Sequence, residues 1–172
     1  HGMYDQGHGA GLEDFWKRYT EHPLFAGAFM WDFSDNAVKR TDKNGILDSD
    51  GSNGSDGILG PYRQKEGSYY TVREVWAPIQ FQPLLITPSF NGEFIVTNDY
   101  LFSSLSTCRM SYKVLTAPSP LDNNREQEVI ATGAVTLPAI LPKETGRARM
   151  DVPDNLFEGD ILEIKAWDQH NK

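Results

Sequence analysis

At 172 residues, 39% of them hydrophobic and 12% aromatic, the chain has a globular composition and enough apolar material for one large domain or two small ones. The 16 Lys and Arg against 24 Asp and Glu leave a net charge of −8, which disfavours nucleic acid and anionic membrane surfaces, because both require a positive footprint. A single cysteine, Cys108, excludes an internal disulfide framework and a thiolate metal site, and no run approaches the roughly 20 apolar residues of a membrane-spanning helix.

The loop Gly7-His-Gly-Ala-Gly11 leads into a predicted amphipathic helix over residues 12–19, with Leu12, Phe15, Trp16 and Tyr19 on one face and Lys17 and Arg18 on the other. His22-Pro23 ends it. The run Ala26-Gly-Ala-Phe-Met-Trp-Asp-Phe-Ser-Asp35 is apolar on both faces over residues 26–33, the pattern of a buried parallel strand covered by helices. Active sites of α/β folds lie at the carboxyl ends of such strands, and a Trp followed by acids suits a sugar, whose ring faces stack on indole while its hydroxyls need acceptors.

Residues 36–67 are polar and rich in turn signals, which predicts a long loop. Ser68 is the expected cap of a short helix carrying Tyr69, Val72, Val75 and Trp76 and closed by Pro78. After Pro83 the texture changes to short alternating runs at 84–87, 92–97, 108–115, 127–136, 146–152 and 160–167, separated by turns such as Ser89-Phe-Asn-Gly92 and Glu158-Gly-Asp160. That spacing predicts an antiparallel sandwich beginning near residues 80–84. Phe102, Leu105, Tyr112, Ile130, Leu162 and Ile164 are its expected core, with Cys108 a core thiol and Trp167 either core or edge cover.

Two constellations have a chemical and a plain reading. Asp32 and Asp35 could approach the 5–5.5 Å spacing of a retaining glycosidase pair, or Asp35 could simply cap the following loop. Asp48-Ser-Asp-Gly-Ser-Asn-Gly-Ser-Asp56 has the oxygen-rich look of a Ca²⁺ loop, but Asn53 stands where an EF-hand needs Gly and Leu59 where it needs Glu, so a solvated turn is the plain alternative.

A family pattern runs through these elements. Gly11-Leu-Glu-Asp-Phe-Trp16, Pro23-Leu-Phe-Ala-Gly-Ala-Phe-Met-Trp-Asp-Phe-Ser-Asp35, Asp56-Gly-Ile-Leu59 and Val72-Arg-Glu-Val-Trp-Ala-Pro-Ile79, preceded by His1-Gly-Met, resemble the end of the catalytic barrel of family-two glycoside hydrolases, the β-galactosidase family. Ile95-Val-Thr-Asn-Asp-Tyr-Leu-Phe-Ser-Ser-Leu105 resembles the opening of the β-sandwich that follows that barrel. The resemblance implies an α+β fragment: the last part of a (β/α)8 TIM barrel over 1–80, then an immunoglobulin-like sandwich over 81–172 that lacks its last strand. An incomplete sandwich exposes an edge, and self-association is the expected consequence.

The same resemblance implies a role for particular residues. Trp31 lines the sugar pocket, with a plain core Trp as the alternative, and His1 aligns with a His that binds sugar hydroxyls. Asp56 stands where the family has a substrate-contacting Asn beside a monovalent cation. The nucleophilic and acid/base Glu residues are expected upstream of His1, so no catalytic residue and no metal ligand is assigned here. Tyr62-Arg-Gln-Lys-Glu-Gly67 keeps only the Arg of the family's Asp-Arg-x-Pro-His-Pro. The implied parent is a retaining β-glycosidase acting on a carbohydrate, without an organic cofactor, with room for a monovalent or divalent cation, in periplasm or cytoplasm. The rival from another class is a non-catalytic carbohydrate-binding or interaction module, which would not need the helix–strand–loop–helix order of residues 12–79.

Overall fold

The computed structural model of the chain describes residues 9–51, 53–118, 121 and 126–170 and is mainly β, with two nine-residue α-helices. It divides into two compact units, His1–Ala77 and Pro78–Lys172. No helix among the described residues is long and apolar enough to cross a membrane.

In the first unit, α1 (Leu12–Thr20) is followed by the strands β1 (Val38–Arg40) and β2 (Ile46–Asp48) and by α2 (Gly67–Val75). β1 and β2 form an antiparallel hairpin inside the stretch expected to be a plain loop. Asn44 and Gly45 turn it with positive φ, a conformation that Asn and Gly adopt at low cost. Arg40 clamps the hairpin: Nε and Nη2 donate to Asp42 and Nη1 donates to Asp48 at 2.7 Å. α2 starts one residue before Ser68, with Glu66 rather than Ser68 in the capping position.

The buried strand expected over 26–33 is not there. Residues 26–31 form no regular element and are hydrogen-bonded to no described backbone group, and Leu24, Phe29, Trp31 and Phe33 are 85%, 103%, 67% and 62% exposed. A strand apolar on both faces needs a layer on each side. Among its described residues this unit supplies only two short α-helices, and α1 buries none of its residues. Among the described residues of the unit, Leu59 is the one large hydrophobic that is buried.

The second unit is a single antiparallel sheet in the order β3-β4-β7-β6-β5-β8, built from β3 (Ile79–Phe81), β4 (Glu93–Asn98), β5 (Arg109–Leu115), β6 (Val129–Thr136), β7 (Thr145–Met150) and β8 (Ile161–Trp167). β6 and β7 pair only at Val135–Met150 and Thr136–Arg149, whereas β5 pairs with β8 along its full length. At that weak seam the sheet folds over one core, in the manner of a β-sandwich. Phe94, Val96, Ala148 and Met150 from β4 and β7 join Met110, Tyr112, Val114 and Val135 from β5 and β6 in one cluster. The alternation along β4 and β5 puts one residue in two inside, as a pleated strand dictates. The Tyr112 ring lies over its register partner Gly133, and its hydroxyl donates to the Asp151 carbonyl at 3.0 Å.

Two expectations fail in this unit. Residues 84–87 form no strand: they lie between Pro83 and Pro88, neither of which has an N–H to give a ladder, and the strand pairing with β4 is β3, just upstream. Phe102 is not core but 92% exposed. The chain reverses after Asn98, whose buried side chain holds the backbone of Tyr100 and Ser103 and leaves Phe102 facing out. Leu105 and Tyr112 are buried as expected, and Ile130, Leu162 and Ile164 pack against the cluster. Cys108 is half-buried beside the core, and that burial pushes its thiol pKa up. Trp167 is half-buried on β8, with the Arg109 guanidinium 5.1 Å from its ring centre.

Candidate functional site

Residues 32–36 and 54–60 run side by side, and this pairing builds the candidate site. Asp32 N donates to the Asp56 carbonyl at 2.8 Å, Ile58 N to Asp32, Leu59 N to Phe33, and Asp35 N to Leu59 at 2.8 Å. Further along, Asn36 N donates to Gly54. Gly57 sits where the two backbones touch: a Cβ there would collide with Ser34 and the Asp35 nitrogen. Gly54 is equally confined by the Asn36 and Ser49 carbonyls. Gly54 and Gly57 therefore serve close approach rather than flexibility, a role that the sequence signals only as a run of Gly and Ser.

Trp31 stands immediately before the paired segment with its indole exposed, and the Trp31–Asp32 peptide is cis. Asp56 lies on the neighbouring backbone, and its carboxylate accepts no hydrogen bond from the described residues. The fold thus brings two of the three expected sugar-binding residues onto adjacent segments. His1, the third, lies outside the described residues.

The other acids are engaged in holding loops. Asp32 accepts from Phe33 N and Asn36 Nδ2, and Asp35 Oδ1 accepts from Gly57 N at 3.0 Å, closing the 34–57 contact from its side chain. In the 48–56 loop, Asp48 accepts from Asp50 N and from Arg40, and Asp50 accepts from Asn53 Nδ2. The Asp50 amide, and then Arg40, hold the Asp48 carboxyl below the usual carboxylate range. No three His, Cys, Asp or Glu side chains gather around a common point among the described residues. Arg63 is exposed with positive φ and makes no ion pair among them. Tyr62 accepts from Leu47 N at 3.0 Å, which ties the loop to the hairpin.

Behind this site, α1 and α2 meet through Trp16 and Trp76, whose rings are 5.2 Å apart, with Phe25 edge-on to Trp16. They wall an open basin of about 390 Å³ lined by Phe15, Trp16, Phe29, Met30, Val72 and Trp76 among others. Ser68 Oγ and Trp76 Nε1, also on its lining residues, are buried without a hydrogen-bond partner among the described residues.

Comparison with known proteins points one way. The chain is 27% identical over 115 residues to a β-galactosidase of Pectobacterium atrosepticum and 28% identical over 116 residues to one of Oenococcus oeni, each match covering 60% of this chain and 11% of the relative. A β-galactosidase of Enterobacter cloacae matches at 24% over 163 residues, 88% of this chain and 15% of the relative. These relatives support a β-galactosidase-like relationship. No family model matches the chain. The chain therefore spans only 11% to 15% of the length of these curated relatives.

Proposed function

We propose that the chain is part of a retaining β-glycosidase of glycoside hydrolase family two. Its first unit would be the closing segment of the catalytic TIM barrel, and its second the immunoglobulin-like sandwich that follows. In the intact enzyme, hydrolysis would run through a covalent glycosyl-enzyme intermediate, with both catalytic carboxylates contributed by upstream segments. This part would furnish the wall of the sugar subsite: Trp31 as the stacking platform, Asp56 as an acceptor for hydroxyls, and His1 as a further hydroxyl ligand. A monovalent or divalent cation beside Asp56 belongs to the same proposal, as does a carbohydrate as the partner.

The observation that supports this reading is the pairing of residues 32–36 with 54–60, which lays the backbone after the exposed Trp31 against that of Asp56. An aromatic face beside a free acceptor is what a sugar ring requires. The β-galactosidase names of the relatives support the same substrate class.

Saturation-transfer NMR with methyl β-galactoside, β-glucuronide and β-mannoside tests it directly. Magnetisation should reach one of these sugars from the chain, and the transfer should be lost on Trp31→Ala. Transfer that survives both Trp31→Ala and Asp56→Ala would contradict the assignment.

A further inference from the structure

From the turn that leads into β4, we infer that Asn91 is a site of spontaneous covalent modification: its side chain closes on the Gly92 amide to a cyclic imide, which water opens to aspartate or isoaspartate. The chain holds three Asn-Gly pairs, Asn44-Gly45, Asn53-Gly54 and Asn91-Gly92. Each offers a side-chain amide carbon and a following residue without a Cβ to hinder the attacking nitrogen. The fold treats the three differently. The nitrogen can attack only after releasing its proton, and with it any acceptor that the N–H is bonded to. Gly45 N donates to the Arg40 carbonyl and Gly54 N to the Ser49 carbonyl, both at 2.8 Å. Asn53 is held further, since its Nδ2 donates to Asp50 at 3.0 Å and Gly54 is walled in by the Asn36 and Ser49 carbonyls. Gly92 N, by contrast, meets no acceptor at hydrogen-bond geometry among the described residues.

The Asn91 side chain is also folded over this nitrogen. Its Oδ1 accepts from Glu93 N at 3.1 Å, which closes a ring that has the Gly92 nitrogen as a member. The same bond draws electron density from the amide carbon and stabilises the negative charge that Oδ1 acquires on attack, the task of an oxyanion donor. In the reaction the Gly92 nitrogen gives its proton to water and bonds to Asn91 Cγ. The carbonyl re-forms as the bond from Cγ to Nδ2 breaks, and that nitrogen leaves as ammonia with a proton from water. Water then adds to one imide carbonyl: at Cγ it releases Gly92 from the side chain and yields aspartate, and at the main-chain carbonyl it leaves Gly92 joined through Cγ as isoaspartate. Water enters, ammonia leaves, and nothing is oxidised or reduced.

Isoaspartate adds a carbon to the main chain immediately before Gly92, whose carbonyl accepts from Met150 N at 2.9 Å and which lies too close to the Met150 carbonyl for a Cβ. The β4–β7 ladder starts at the next residue, with Glu93 opposite Arg149, so the longer link should fray that end of the sheet. The inference is independent of the glycosidase reading, since it compares hydrogen bonds at three turns and uses no part of the sugar site.

Peptide mapping by mass spectrometry of the purified chain, kept in warm and mildly alkaline buffer, follows the gain of about one dalton as NH2 becomes OH. The expected result is that Asn91 converts about fivefold or more ahead of Asn44 and Asn53, the factor that the net worth of one hydrogen bond sets. In denaturing urea, where all three pairs are free, the rates should converge. Asn91→Gln, whose longer side chain would have to close a larger ring, should abolish conversion in its peptide and leave the other two rates unchanged. Amide exchange at Met150 should quicken as isoaspartate accumulates. Conversion of Asn44 or Asn53 as fast as that of Asn91 would overturn the inference. So would an intact Asn91 in the folded chain over the time in which the unfolded chain converts, or a preference for Asn91 that persists in urea and so owes nothing to the fold.

Discussion

Asn98 ends β4 fully buried, and its removal should unseat the second unit more than the loss of a small side chain suggests. Its Nδ2 donates to the Ser103 and Ile140 carbonyls, each at 2.9 Å, and its Oδ1 accepts from Tyr100 N at 3.0 Å. Its own backbone is tied at both ends, N to Glu144 and O from Lys143. In Asn98→Ala the Ile140 carbonyl keeps its bonds from Leu105 N and Ser104 Oγ, so two groups are orphaned, the Tyr100 amide and the Ser103 carbonyl. Each unsatisfied buried group costs about 1–3 kcal/mol; because both lie on a partly exposed turn, the low half of that range applies, and the sum is about 3 kcal/mol. For a unit of this size that lowers Tm by about 12–24 °C. It also lowers hydrogen-exchange protection at Val96 and Ala148 by about two orders of magnitude. Asn98→Asp should cost as much at neutral pH, because a carboxylate oxygen then faces two carbonyls, and should recover part of the loss below about pH 4, where the carboxyl can donate. A loss below about 1 kcal/mol in Asn98→Ala would refute the claim that this side chain holds the turn.

Three further outcomes follow from the structure. Gly57→Ala should open the 32–36/54–60 pairing, because its Cβ meets Ser34 and Asp35, and exchange at Ile58 and Leu59 should quicken as overpacking costs about 1–3 kcal/mol. The Asp48 carboxyl, depressed by the Asp50 amide and by Arg40, contributes stability that is present above the ordinary carboxylate value of about 3.9 and is lost as pH falls through the lower folded value. The β1–β2 hairpin should therefore persist through pH 5 and loosen in stronger acid, and an NMR titration of Asp48 should find its midpoint raised by Arg40→Gln. Burial raises the Cys108 thiol, so its reaction with a disulfide reagent at pH 8 should be slower than that of free cysteine and should speed up on partial unfolding.

The second unit was the more legible because its residues obey one rule. Along β4 and β5, alternate side chains enter a core that the unit itself supplies, so period two in the sequence becomes period two in burial. Its errors are local: Leu84 and Leu85 have strand character but lie between prolines, and Phe102 is apolar but follows a buried Asn that reverses the chain. α1 was legible from its spacing alone. The run at 26–33 was not, because an apolar pattern states what a segment would bury without stating that layers are at hand to bury it. The β1–β2 hairpin was hidden in the turn-rich stretch 36–67, because its strands are only three residues long. At the candidate site, Trp31 and Asp56 were nameable from the family pattern, whereas the close backbone contact at Gly57 that brings their segments together emerges only in three dimensions.

Hydrolysis of a panel of nitrophenyl β-glycosides, by the chain alone and by the chain mixed with a separately expressed upstream barrel segment of its parent, tests the central claim most directly. The account predicts no turnover by the chain alone and turnover of one β-glycoside in the mixture, reduced by Trp31→Ala in the added chain. Turnover by the chain alone, abolished by Asp32→Asn or Asp35→Asn, would contradict it, because those carboxylates would then be chemical groups rather than the loop supports described above.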